Sequence, residues 1–180
     1  MNESNGLHLQ ANRGRAVLGI VFWTVIAWWA MCWTHELGHV LSGWCFGATL
    51  ISLDLWPWHL PYSFYDPDPH PLVTTWGGPI LGCLIPIVLS LLVRRAEVRY
   101  IASFCVLANG LYIASAALTD DRLLDTAKLL EHGANWWQIV LFCAFTVTPG
   151  YFWYRRELLQ QWHQRNRLEK SKLDQAKRGL

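Results

Sequence analysis

Residues 16–40 read AVLGIVFWTVIAWWAMCWTHELGHV, an apolar stretch that carries no charge until it reaches a short polar motif. Its first part, Ala16–Trp33, is close to the roughly 20 residues that an α-helix needs to cross about 30 Å of hydrocarbon. Three similar stretches follow at Leu72–Val93, Val98–Leu118 and Trp136–Tyr154. The sequence therefore predicts an all-α polytopic membrane protein with about four transmembrane helices.

The composition also favours a membrane environment. Of the 180 residues, 53% are hydrophobic and 12 are tryptophans, which is more apolar surface than one soluble core usually needs. The five cysteines lack the close pairing of a zinc ribbon or a redox couple, so we interpret them as buried free thiols. The formal net charge is only +2, and no nucleic-acid partner is expected.

The charged residues separate between the two sides of the predicted helices. Basic residues precede the first stretch, join the second to the third and follow the fourth, which puts 13 of 15 on one side. The other connections hold seven acidic residues against Arg122 and Lys128. By the positive-inside rule, both termini are cytoplasmic. Residues 1–154 are thus predicted to form a membrane-embedded unit, and residues 155–180 a basic cytoplasmic helical tail.

A short β or irregular excursion is expected after the first helix. Thr49–Trp56 shows the alternation of a strand. Residues 57–71 contain five prolines, which is too many for a regular helix. We expect this connection to form a lid, an edge strand that pairs with an extended substrate, or an aromatic loop at the interface.

The polar motif, Thr34-His-Glu-Leu-Gly-His39, is typical of a metal site. His35 and His39 are four residues apart, so on a helix both imidazoles project from one face and can bind a single ion. Glu36 can then accept a proton from water that a Zn²⁺ ion has activated. The alternatives are hydrogen-bonded or interfacial histidines, and haem ligation, which would gain nothing from Glu36. Ionisable residues within an apolar helix usually mark a functional site.

A catalytic zinc needs a third protein ligand and an open fourth position. The residues alone leave several candidates open: Asp120, Asp121, Asp125, His132, His59 and His70. The predicted orientation places the motif and residues 120–125 near the same, non-cytoplasmic face. Asn109, inside the third helix, is expected either to bind a neighbouring helix or to orient a metal ligand.

The stretch Thr34–Gly47 resembles the first active-site helix of the M50 family, the site-2 protease-like intramembrane zinc metalloproteases, and its smaller M50B-like relatives. Residues 76–79 are similar to the Gly-Pro element of that family, and the resemblance covers roughly residues 16 to 133. It implies that Asp125 is the third ligand, since the family supplies an aspartate shortly before a Leu-Leu pair. Two departures stand out: Thr126 replaces the usual glycine, and Gly82 replaces the usual asparagine.

The resemblance implies a zinc-dependent peptidase with Glu36 as general base and acid. Its expected partners are the lipid bilayer and a transmembrane peptide or protein substrate. The alternative is a non-catalytic, M50-like structural or assembly subunit of a larger membrane complex. A metal transporter or zinc sensor is disfavoured, because the sequence lacks further polar residues along a path through the bilayer.

Overall fold

The structure is a computed structural model that describes residues 3–56, 58–116, 118–119, 121 and 123–178. In this part of the chain, five helices accompany one two-stranded sheet. They are α1 (Glu3–Cys45), β1 (Leu50–Asp54), β2 (Tyr62–Tyr65), α2 (Pro71–Val93), α3 (Ala96–Ala116), α4 (Asp125–Glu131) and α5 (Trp136–Arg178). The protein is therefore mostly helical, and the predicted β excursion after the first helix is present as a hairpin.

Three helical segments in the described residues are long and apolar enough to cross a membrane: Gly14–Cys45, Pro71–Val93 and Ala96–Ser115. They coincide with the first three predicted crossings. The fourth predicted crossing forms the first part of α5, which is not among these segments. The helices thus indicate membrane association, whereas the fourth crossing and the location of the termini stay predictions.

Helices α1 and α2 approach closely because small residues face each other across their contact. A Cβ atom added at Gly38 would collide with the carbonyl oxygen of Gly77, and one added at Gly77 would collide with Ser42. Small residues at helix contacts allow backbones to come together and gain dispersion energy. This approach places the beginning of α2 directly against the face of α1 that carries the histidines.

The hairpin follows α1 and folds back along it. Its strands pair antiparallel, with Asp54 opposite Tyr62 and a bulge between Leu50 and Ser52. Side chains alternate between the two faces of a strand, and in β2 those of Ser63 and Tyr65 are the less exposed ones. The hairpin therefore presents one face of β2 to α1.

Helices α3 and α5 pack along each other, and α4 lies near one end of this pair. Leu129 of α4 is fully buried in a cluster with Ile113 of α3 and Ile139 of α5. At the other end, the hydroxyl of Tyr100 lies 2.8 Å from Thr24 Oγ1 and 3.1 Å from the Tyr154 hydroxyl. The apolar cluster holds α4 in place and so fixes the position of its first residue, Asp125.

All five cysteines are free, as predicted, but the prediction that all are buried is wrong for Cys45, which is exposed. This residue ends α1, where the chain turns away from the helix bundle. Cys143 is half-buried.

Candidate metal centre

The two histidines of the motif and Asp125 come together in the interior. His35 and His39 lie on the inward face of α1, and Asp125 begins α4; their side chains are 7%, 8% and 6% exposed. His35 Nε2 lies 2.8 Å from Asp125 Oδ2, and His39 Nε2 lies 3.2 Å from the same oxygen. The two Nε2 atoms are 3.2 Å apart. This His-His-Asp group could bind a metal ion.

The outer nitrogen of each imidazole is held by another helix. His35 Nδ1 lies 2.6 Å from the side-chain oxygen of Asn109, and Asn109 Nδ2 donates to the Cys105 carbonyl at 2.8 Å, which fixes the orientation of the amide. His39 Nδ1 donates to the carbonyl of Thr74 at 2.9 Å. Each Nδ1 faces an acceptor and must carry the hydrogen, so each Nε2 directs a lone pair inward.

Three electron-rich atoms therefore converge: two Nε2 lone pairs and one carboxylate oxygen. Such atoms repel one another in a buried site unless a cation, either a shared proton or a metal ion, lies among them. The three separations are 2.8, 3.2 and 3.2 Å. Zinc with tetrahedral bonds of about 2.0–2.1 Å would place its ligands roughly 3.3 Å apart. The donor set thus matches one face of a metal tetrahedron and leaves the fourth direction to the cavity.

Asp125 is both charged and firmly held. Burial by itself would raise its pKa, but positive charge and hydrogen bonds from the neighbouring imidazoles of His39 and His35 outweigh that effect and hold the pKa well below its ordinary value. The next residue, Thr126, is fully buried and donates to the Ile113 carbonyl at 2.9 Å. The threonine hydroxyl thus fastens α4 to α3.

The glycine at position 82 leaves room for the Asn109 side chain. A Cβ atom at Gly82 would lie 2.9 Å from the side-chain oxygen of Asn109, so an asparagine there would occupy the volume that Asn109 fills. The absence of a side chain at this position on α2 allows an amide from α3 to reach His35.

Glu36 lies beside the ligand group without belonging to it. Its side chain is 5% exposed, and Oε2 accepts a hydrogen bond of 2.9 Å from Ser63 Oγ of strand β2. The carboxylate borders a cavity of about 710 Å³ that also reaches His39 and Asp125. The hairpin thus orients the Glu36 carboxylate at the edge of the cavity.

The cavity of about 710 Å³ is large enough for a ligand, since binding pockets commonly measure about 300–1,000 Å³. Polar groups from four elements line it, among them Ser63, Tyr65, Asp68, Thr74 and Lys128. Burial raises the pKa of Tyr65 to about 12, and the carboxylates of Glu36 and Asp68 act in the same direction. Its phenol therefore stays neutral at physiological pH.

The other proposed ligands do not join the group. Asp121, His59, His70 and His132 are exposed, and Asp120 lies outside the described residues. Among the described residues, His35, His39 and Asp125 form the one set of three side chains close enough to share an ion.

Sequence reasoning identified Asn109 but left its role open, and it missed Ser63 and Thr74. Thr74 contributes only a main-chain carbonyl, which no side-chain pattern can reveal. Ser63 lies 27 positions after Glu36, in a strand whose register depends on the bulge in its partner. The alternation of residues 62–65 was the one sequence signal for the direction of its side chain, and the register that brings it to Glu36 comes from the structure.

No protein-family model, curated protein or solved structure matches the chain.

Proposed function

We propose that this protein is an M50-like intramembrane zinc peptidase that hydrolyses a peptide bond in or near the membrane. The observation that carries the proposal is the convergence of two imidazole lone pairs and one carboxylate oxygen beside a second, unligated carboxylate. His35, His39 and Asp125 would hold the zinc, and Glu36 would be the proton carrier.

The donor set supports zinc. Two imidazoles and one carboxylate are ligands of catalytic zinc sites, which keep a fourth position open for water or substrate. Asn109 and Thr74 fix the imidazole orientation in the way that outer partners of metal ligands do. When bound, zinc would lower the pKa of a coordinated water to about 7 and polarise a carbonyl group.

The chain's own residues supply the proton movements. Glu36 accepts the proton from the attacking water and gives it to the departing amine as the C–N bond breaks, so the carboxylate is regenerated. Ser63 holds one oxygen of that carboxylate, which leaves the other directed at the cavity. Exclusion of bulk water from these buried groups strengthens each electrostatic contact.

Packing supports a fourth crossing, by the first part of α5. Contacts between α3 and α5 run from Ile113 and Ile139 at one end to Tyr100 and Tyr154 at the other. If α3 crosses the bilayer, the segment of α5 beside it lies at the same depth. An even number of crossings puts both termini on one side, which the basic residues indicate is the cytoplasm.

Metal analysis and a proton-carrier variant test this function together. Purified protein in detergent micelles should contain about one zinc per chain, as measured by elemental mass spectrometry. It should cleave members of a mixed library of apolar peptides, with the products identified by peptide mass spectrometry. Glu36→Gln should keep the zinc and lose cleavage, whereas Glu131→Gln, a matched change at an exposed glutamate of α4, should retain both.

The rival function predicts a different result. If the protein binds zinc but Glu36→Gln behaves as the unaltered chain does in every assay, a structural or assembly subunit of a membrane complex becomes the better description. Absence of bound metal at neutral pH would contradict both the zinc site and the peptidase.

A further inference from the structure

A second, smaller cavity opens onto the metal centre from the other side of Glu36. It measures about 250 Å³, and His35 and Glu36 form part of its wall. We propose that this cavity is a specificity subsite that receives an apolar side chain, of leucine to phenylalanine size, from the substrate residue next to the scissile bond. The inference rests on the proposed peptidase function and deepens it.

The two cavities meet at the proton carrier. Glu36 and Tyr112 line both of them, and so do Leu60 and Pro61 of the loop between the strands. The Tyr112 ring packs edge-on against the ring of His35, with centroids 5.3 Å apart. A substrate that lies in the larger cavity, with its scissile bond at Glu36, therefore has the entrance of the smaller cavity within reach of an adjacent side chain.

The chemistry of the walls selects the occupant. Away from the metal centre, the smaller cavity is lined by Trp28, Met31 and Cys32 of α1 and by Trp58 and His59 of the loop. Apart from His59, whose Nε2 lies 3.7 Å from Asp54 Oδ2, these groups offer dispersion contacts and few hydrogen bonds, which favours an apolar side chain. A cavity of about 150 Å³ already accepts benzene, so the observed volume is sufficient for a branched aliphatic or a phenyl group.

The loop that closes this cavity is fixed to α1. The Trp33 indole nitrogen donates to the Leu55 carbonyl at 3.2 Å, and the rings of Trp29 and Trp58 pack edge-on at 5.2 Å. These contacts give Trp58 a defined position in the cavity wall, although 69% of its surface is exposed. Trp44 of α1 is 61% exposed, lines neither cavity and serves as a matched control, whereas Trp56 stacks on the Trp58 ring at 6.2 Å.

Metal-directed inhibitors test the subsite without requiring a known substrate. Two peptide hydroxamates that differ only in the side chain beside the metal-binding group, methyl in one and isobutyl in the other, are titrated calorimetrically into zinc-loaded full-length protein in micelles. The isobutyl compound should bind about 50-fold more tightly, as three buried carbon groups predict. Trp58→Ala should reduce this ratio several-fold, and Trp44→Ala should leave it unchanged.

A change that fills the cavity should also remove the preference for the isobutyl compound. Cys32→Leu narrows the cavity and should bring the ratio of the two affinities close to one while zinc content is maintained. If both hydroxamates bind the unaltered protein equally well, or if Trp44→Ala lowers the ratio as much as Trp58→Ala does, the subsite is wrong and the peptidase stands. If the zinc-loaded protein binds neither compound, the open metal site itself is wrong, and the subsite fails with it.

Discussion

The amide oxygen of Asn109 lies 2.6 Å from Nδ1 of His35, although 74 positions separate the two residues in the chain. Asn109 is fully buried in α3, and its amide nitrogen is already bound to the Cys105 carbonyl. The contact therefore commits His35 to one tautomer, with Nε2 free for a metal. It also joins α3 to the ligand-bearing face of α1.

Replacing Asn109 by leucine should weaken zinc binding about 10- to 100-fold, as loss of an outer partner of a metal ligand typically does. Asn109→Asp should bind more tightly than Asn109→Leu, because a carboxylate oxygen can still accept from His35 Nδ1. Competition with a chromophoric chelator measures both affinities. Equal zinc affinities of Asn109→Leu and Asn109→Asp would show that the residue only fills space.

Removal of the Asp125 side chain should lower the affinity for zinc more than removal of the Asp121 side chain. Asp125→Ala deletes one of three ligands, so we expect the affinity for zinc to fall more than the roughly 100-fold limit of an outer partner. Asp121→Ala, at an exposed aspartate whose Oδ1 accepts from the Leu123 amide at 2.9 Å, should keep full metal content. Metal-to-protein ratios after dialysis against a weak chelator distinguish the two. Retention of stoichiometric zinc by Asp125→Ala would exclude it as a ligand.

Ser63 should affect the reaction rate without affecting the metal. Ser63→Ala removes the hydrogen bond to Glu36, and because bonds to charged groups contribute about 1.5–3 kcal/mol, kcat should fall about tenfold or more. Ser63→Thr retains a hydroxyl and should recover much of the rate, and Ser52→Ala in the partner strand is the control. Loss of zinc in Ser63→Ala would mean that the hairpin supports the ligands instead of the carboxylate.

The close approach of α2 to His39 gives a steric prediction. A Cβ atom at Gly78 would lie directly against the His39 ring, so Gly78→Ala should displace the imidazole and reduce zinc affinity at least tenfold. Gly14 has nothing within 4 Å of its added Cβ atom. Because alanine favours a helix over glycine by about 1 kcal/mol, Gly14→Ala should leave both folding and metal content intact. Unchanged zinc affinity in Gly78→Ala would contradict the described contact.

A chain with four crossings has both termini on the same side of the membrane, whereas a chain with three has them on opposite sides. With α5 beside α3 throughout the bilayer, epitope tags at the two ends should be digested from the same side of sealed inverted vesicles. Protease digestion of the tags in right-side-out and inverted vesicles shows on which side of the membrane each terminus lies. Protection of one tag and digestion of the other in the same vesicles would establish an odd number of crossings.

The amino-acid sequence by itself determined the features that depend on local order. Length and hydropathy defined the helices, because an apolar run of about 20 residues has few other stable conformations in a bilayer. The spacing of His35 and His39 placed both rings on one face of α1, since a helix turns every 3.6 residues. Alternation predicted a strand near residues 49–56, where β1 spans Leu50–Asp54.

Only the tertiary structure decided which distant groups meet at that face. The residues left six candidates for a third ligand, and packing of Leu129 against α3 and α5 brings Asp125 there while Asp121 stays exposed. The partners Asn109, Thr74 and Ser63 likewise come from three different elements. Such contacts depend on how helices approach one another, and at Gly78 and Gly82 that approach is governed by the absence of a side chain, which produces no periodic pattern in the sequence.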